Sequence, residues 1–339
     1  MRDLEPLSVS EPLVEHTQLA RDVESAKHYG RAARSPRTRL EYARDWAQFT
    51  RYCERVCLVS FPAEPQTVAA YLASLAGKLK ATTIQRRAAA IAFQHRQNGL
   101  APPTAHPLVA DVLAGITREH GIAPRRKAAL TVELLREALA VIDDGTLRGI
   151  RNRAILLLGF AAALRRSEIV ALNVEDLEFD ERGLTLYIRR SKTDQDGQGA
   201  GIAIPLAPEA CICAVVAVRQ WLAHAQIEAD LAGPLFRSFA LPRGRNAPLV
   251  LQARRLPAGD VARIVQKAVV IAGLEGDFAA HSLRAGFITS AAVRGVAEVN
   301  IQRVSRHKST EVLRAYVRHA TRFDEAPLTE ILQMRKRHH

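Results

Sequence analysis

From residue 35 onward, apolar positions recur at helical spacing. In SPRTRLEYARDWAQFTRYCERVC, Tyr42, Trp46, Phe49 and Cys53 fall on one helix face. Ser35 can cap that helix and Pro36 suits its first turn. PQTVAAYLASLAGKL predicts a second helix, TTIQRRAAAIAFQHRQNG a third closed by Gly99, and HPLVADVLAGITREHG a fourth. Residues 35–120 therefore read as a small all-helical domain. Residues 1–34 are polar with weak periodicity and are expected to form a flexible or marginally helical arm.

GIAPRRKAA, residues 121–129, has Gly, Pro and basic residues without periodicity and reads as a linker. TVELLREALAVIDD and LRGIRNRAILLLGFAAAL then predict helices. In LEFDERGLTLYIRRSKTDQDGQGAGIAIPL the period changes to two. Leu184, Leu186 and Ile188 alternate with Thr185, Tyr187 and Arg189, and GIAIPL returns after an Asp/Gly-rich turn as a hairpin. Helices are expected again from about 207. The second domain, 130–323, is thus mainly helical with a small antiparallel sheet near its start. A tail at 324–339 carries a short apolar stripe, Leu328, Ile331 and Leu332.

Charge changes the picture. Lys and Arg number 48 against 35 Asp and Glu, a net charge of +13. A balance so basic points to a polyanion, most commonly nucleic acid, with a membrane surface as the rival. The longest apolar run, residues 154–164, is too short to span a bilayer. MRDLEPLSVSEP lacks the apolar segment of a signal peptide, so a cytoplasmic, nucleoid-associated protein is expected. Cys53, Cys57, Cys211 and Cys213 make a poor zinc pattern and read as buried free thiols. No Gly-rich phosphate loop and no acidic cluster suited to Mg²⁺ stands out. An enzyme on nucleic acid would then work without metal, nucleotide or other cofactor. Lys78, Lys80, Thr83, Gln85, Arg86 and Arg87 near the third helix are candidate DNA contacts, or else a solvated basic face. Arg125 and Arg126 in the linker, Arg243 and Arg245 in LPRGRN, and Arg254 and Arg255 in ARRLP are further candidates.

Four stretches bear on chemistry. AAALRRSEIVAL carries Arg165 and Glu168. The hairpin turn carries Lys192. HSLRAGF places His281 and Arg284 at i and i+3. SRHKSTEVLRAYVR places Tyr316 nine residues after His307. Each alone is weak: Arg165 could be an ordinary helix-end arginine, Lys192 a turn lysine, and Tyr316 the edge of a surface helix. In this order, after a helical domain, they resemble the boxes of the tyrosine recombinase family, the phage integrases with the Cre and Xer proteins. The resemblance covers roughly residues 35–330, and SPRTRLEYARDW looks like the start of that family's core-binding domain. Two departures stand out. Arg306 precedes His307 where many relatives have Gly, and Ala-Ala-Leu-Arg replaces Thr-Gly-Leu-Arg.

The resemblance implies a mainly α fold: a helical, SAM-like core-binding domain and a mixed α/β catalytic domain with a small antiparallel sheet. It implies cleavage of a DNA phosphodiester by Tyr316 as nucleophile. Arg165 and Arg284 would clamp the phosphate, His307 would donate to a non-bridging oxygen, and His281 would accept the tyrosine proton or position the phosphate. Lys192 would protonate the leaving 5′-oxygen, and Glu168 would orient a partner rather than react. The product would be a 3′-phosphotyrosine, with strand exchange between paired double-stranded sites through a Holliday junction. Protomers would assemble as a homotetramer on two DNA sites, the tail helix docking on a neighbour. Three aliphatic side chains offer about 5–9 kcal/mol on burial, against about 10 kcal/mol for ordering ten residues, so that helix needs a partner surface. A non-enzymatic DNA-binding protein, and a type IB topoisomerase or telomere resolvase, stay open as alternatives.

Overall fold

The computed structural model describes residues 12–121, 127–189, 199–240 and 249–307, and beyond them 309, 311, 314, 316 and 328. The chain divides into two compact units, Met1–Arg125 and Arg126–His339.

The first unit is helical: α1 (Pro12–Ala32), α2 (Pro36–Arg55), α3 (Pro65–Ser74), α4 (Ala81–Gln97) and α5 (Pro107–His120). Ser35 caps α2, its hydroxyl accepting from the Thr38 amide at 3.1 Å. The face anticipated for α2 turns inward: Phe49 and Cys53 are buried, with Trp46 packed beside them. Val68, Leu72, Ile84, Ile91 and Val109 from the other helices complete this core. Of the two forms expected for the arm, residues 12–32 take the helical one. Residues 12–32 form a regular helix whose side chains from Gln18 to Gly30 are exposed. Good helix formers such as Gln18, Ala20, Glu24, Ala26 and Lys27 raise helicity without an apolar stripe, which is why periodicity missed it.

The second unit contains α6 (Val132–Ala140), α7 (Leu147–Ala161), α8 (Arg166–Ala171), α9 (Ala214–Ala225), α10 (Ala258–Ile271), α11 (His281–Val293) and α12 (Glu298–Ser305). Strands β1 (Leu177–Phe179), β2 (Gly183–Ile188) and β3 (Ala200–Pro205) form an antiparallel sheet in that order. Leu186 pairs with Leu177 on one side and Ile202 on the other. The alternation holds: Leu184, Leu186 and Ile188 are buried with Ile202 and Ile204. The middle of α7, Ala154 to Leu158, is buried all round and is central to this core.

A second antiparallel ribbon, β4 (Arg237–Phe239) with β5 (Leu251–Arg255), interrupts the helices expected from 207. Its strands are short and polar, so no alternation announces them. Instead Arg151 donates to the Arg237 carbonyl at 2.7 Å and packs its guanidinium over Phe239. The four thiols are free, but only Cys53 and Cys213 are buried. Cys57 and Cys211 are exposed, which corrects the expectation of four buried thiols. No helix among the described residues is long and apolar enough to cross a membrane.

Candidate active site

The turn after α7 carries the first arginine. Ala163 sits in left-handed backbone (φ 47°), and the chain then re-enters a helix with Arg165 at its N-cap. Glu168, one turn into α8, is buried. Its Oε2 accepts the Arg165 backbone N–H at 2.9 Å, and its Oε1 accepts Arg165 Nη1 at 2.7 Å. A charged pair in a reciprocal cap holds the turn and the guanidinium together.

Helix α11 supplies the next two groups. Ser282 to Gly286 are buried while His281 is exposed, and the turn is tied to residue 130: the Leu130 amide donates to the Ser282 carbonyl at 3.0 Å. A Cβ on Gly286 would stand 1.8 Å from the Leu130 carbonyl oxygen, so the glycine of HSLRAGF has a packing reason. Arg284 is 1% exposed, and Nη1 donates to the Ala163 carbonyl at 2.8 Å. The same turn thereby carries Arg165 and receives Arg284.

Helix α12 ends at Arg306 in left-handed backbone (φ 54°), which delivers His307 to the cluster. His307 Nδ1 lies 2.9 Å from Ser305 Oγ, and Gln302 Nε2 donates to the His307 carbonyl at 2.9 Å. Arg284 Nη2 stands 3.3 and 3.4 Å from the two ring nitrogens. Tyr316 is helical and packs against Ile288, Ala292 and Ile301. Its hydroxyl lies 2.8 Å from His281 Nε2, and its ring centroid 6.2 Å from that of His307.

The electrostatics follow from crowded cations. Burial, then the Arg165 cation, push Arg284 down to about 9, so it remains charged at neutral pH. Burial, then Arg284 and Arg165, push His307 down to about 3. His281 is lowered by the same three influences in the same order. Burial works to raise Glu168, but the Arg306 cation and the hydrogen bonds from Arg165 outweigh it, and its carboxyl is held below the usual range. Three guanidinium groups and one carboxylate leave a net positive cleft that suits a phosphodiester. Among the described residues no group of three or more His, Cys, Asp or Glu is placed to hold a metal ion.

Arg165, Glu168, His281, Arg284, His307 and Tyr316 thus meet, although 151 positions separate the first from the last. Lys192 lies outside the described residues. Ser305 and Gln302, which hold His307, were not foreseen, since nothing in their spacing sets them apart.

Comparison with known proteins gives the family. The phage integrase family model matches residues 129–322. An integrase/recombinase, a xerD homolog of Selenomonas ruminantium, is 37% identical over 310 residues, 90% of this chain and 88% of that protein. The fold resembles the lambda integrase(75–356) dimer bound to a COC′ core site, at 18% identity and TM-score 0.56, over 92% of this chain and 96% of that one. It also resembles the XerH site-specific recombinase bound to palindromic difH substrate in a post-cleavage complex. There the identity is 18% and the TM-score 0.55, over 81% of this chain and 73% of that one. The class defined is that of the tyrosine recombinases, enzymes that cleave and rejoin DNA. This chain belongs to the phage integrase family.

The expected DNA contacts divide. Lys78, Lys80 and Arg254 are exposed and Thr83 is half-buried. Gln85 donates to Thr117 at 3.2 Å. Arg86 pairs with Glu41 at 2.8 Å and Asp45 at 3.2 Å. Arg87 and Arg255 make contacts within their own units. Arg87 donates to the Tyr71 hydroxyl at 2.8 Å and faces buried Asp45. Arg255 donates to the carbonyls of Val170 and Leu172 and to Asn173 Oδ1. Arg255 thus commits its guanidinium to acceptors inside its own unit, whereas Arg87 Nε is buried without a hydrogen-bond acceptor among the described residues, 3.8 Å from Asp45 Oδ1. Arg125, Arg126, Arg243 and Arg245 lie outside the described residues.

Proposed function

We propose that the chain is a site-specific recombinase that cleaves and rejoins double-stranded DNA through a 3′-phosphotyrosine. The observation that carries this is the Tyr316 hydroxyl 2.8 Å from His281 Nε2, beside a cluster holding Arg165, Arg284 and His307. A free tyrosine titrates near 10, so its proton must leave as it attacks. His281, held neutral by its surroundings, is ready to accept it.

Tyr316 Oη bonds to phosphorus and the bond to the 5′-oxygen breaks. Arg165 and Arg284 meet the charge that gathers on the non-bridging oxygens. In the tautomer that serves this step, Ser305 Oγ, 2.9 Å from His307 Nδ1, donates to that nitrogen and the ring proton sits on Nε2, a neutral donor for the same oxygens. Lys192, on the hairpin turn, gives a proton to the departing 5′-oxygen. The phosphodiester energy stays in the tyrosyl bond, so a second 5′-hydroxyl can reverse the step without metal or ATP. Two such exchanges on paired sites pass through a Holliday junction. The first unit would grip the core site, and four protomers would assemble on two sites.

Incubation with sheared genomic DNA in EDTA without nucleotide, followed by denaturation, tests the reading. Wild type is expected to retain covalently bound fragments sharing one sequence. Tyr316→Phe is expected to lose the adduct by at least about 10³-fold while shifting the same fragments in a native gel. An adduct persisting in Tyr316→Phe would overturn the assignment.

A further inference from the structure

The residue before His307 has no part in the chemistry above, yet it is placed with unusual constraint. Arg306 adopts φ 54°, a region that disfavours side chains and favours glycine. Its side chain nevertheless crosses to a segment 138 residues earlier in the chain. Nη2 donates to Glu168 Oε2 at 2.8 Å. Nη1 donates to the Val304 carbonyl at 2.7 Å and the Ala162 carbonyl at 3.2 Å. The ion pair is almost wholly removed from solvent, with 10% and 2% of the two side chains exposed.

These bonds tie two parts of the site. The Ala162 and Ala163 carbonyls are consecutive, and Arg306 takes the first while Arg284 takes the second. Glu168 is likewise divided: Oε2 receives Arg306 and the Arg165 backbone, while Oε1 receives Arg165 Nη1. Without Arg306, Oε2 keeps only the Arg165 backbone N–H, and the less restrained carboxylate can turn to engage the Arg165 guanidinium with both oxygens, drawing it away from a substrate. We propose that Arg306 is a positioning residue, which holds one oxygen of Glu168 so that the other aims Arg165 at the scissile phosphate.

This rests on the recombinase reading and adds a residue to it. It also makes a statement about pH. Glu168 is faced by Arg165 from its own helix, by Arg306 from the end of α12, and by Arg284 from α11. Asp176, Tyr187 and Arg189 line the cavity that Glu168 borders. Arg306 is the strongest influence lowering Glu168. Its removal lets the carboxyl rise, so the ionised form is lost at a higher pH and the acid limb of the cleavage rate moves up.

The test uses full-length protein and a suicide duplex carrying the sequence recovered by covalent trapping. Single-turnover cleavage is followed from about pH 5 to 9, with duplex affinity by gel shift. Arg306→Gly suits the left-handed backbone and is expected to keep wild-type affinity within about twofold. Its rate near neutrality is expected to fall about tenfold or more, with the acid limb moved upward. Arg306→Lys, which keeps a cation beside Glu168, is expected to recover most of the acid limb and part of the rate. Arg306→Gly matching wild type in rate and profile overturns the proposal. So does the loss of both duplex binding and a cooperative melt in both variants, which would mark a purely architectural residue. A wild type that forms no adduct would sink the recombinase reading itself, whereas an active wild type with an unchanged Arg306→Gly sinks only this inference.

Discussion

His307 is held neutral by its neighbours, and that has a measurable consequence for stability. Its ordinary value is 6.5, and burial with four nearby groups pushes it down to about 3. In the unfolded chain it takes a proton near 6.5. Between those values the unfolded state binds more protons, so stability falls as pH drops below 6.5 and is retained above it. One such group costs about 1 kcal/mol between pH 6.5 and 5.5, or about 2–4 °C of melting temperature in a domain of this size. Glu168, held low, works in the same direction. His307→Gln isolates the histidine: calorimetry at the two pH values is expected to show a smaller drop than wild type. An equal drop would show that His307 is not the group responsible.

Helix α11 presents His281 and Arg284 because its other side approaches residue 130 closely. Gly286→Ala places a methyl against the Leu130 carbonyl, which must move with the α11 first turn. The expected cost is about 1–3 kcal/mol or more, read as a lower melting temperature. Cleavage is expected to fall further than DNA affinity, because the shift passes to Arg284. The hairpin is the second element with a prediction. β2 and β3 pair as far as Ile188 with Ala200, and Lys192 falls between them in the sequence. Lys192→Ala is expected to slow cleavage by about 10²–10⁴-fold. Replacement of the leaving 5′-oxygen by sulfur is expected to restore most of that rate, since a thiolate leaves without a proton. Equal defects on both substrates would remove Lys192 from the acid's role.

Across the whole chain, the +13 charge provides attraction to DNA without specifying a sequence. Under the proposed function, cooperative assembly on a full site would come from contacts between protomers. Leu328 is helical and exposed, while Ile331 and Leu332 lie outside the described residues. We expect a free protein that is mainly monomeric and protomers that associate on DNA, where proximity raises the effective concentration. Deletion of residues 324–339 is expected to leave half-site affinity within about twofold and to abolish cooperative filling of a full site. A titration in which the truncated protein still fills both half-sites cooperatively, or a stable tetramer of intact protein without DNA, would refute this.

Most helices and the candidate site residues were legible because they are written locally. The α2 face, the strand alternation of Leu184, Leu186 and Ile188, and the order Arg165, His281, Arg284, His307 and Tyr316 each depend on spacing within a few residues or on a family resemblance. Helix α1 was read only as a marginally helical or flexible arm, because a helix without an apolar stripe has no period to detect, and the β4–β5 ribbon escaped because its inward side chains include arginines. The roles of the remaining arginines were decided only in three dimensions. Arg87 and Arg255 look in the sequence like solvated or DNA-facing cations, and Arg306 like a mere departure from glycine, yet each finds acceptors on other elements of its own unit. Gly286 is constrained by a carbonyl 156 positions away. A guanidinium carries the same charge whether it meets solvent, phosphate or a buried carboxylate. Which of these it meets is set by the elements that pack beside it, and that packing is a property of the tertiary structure.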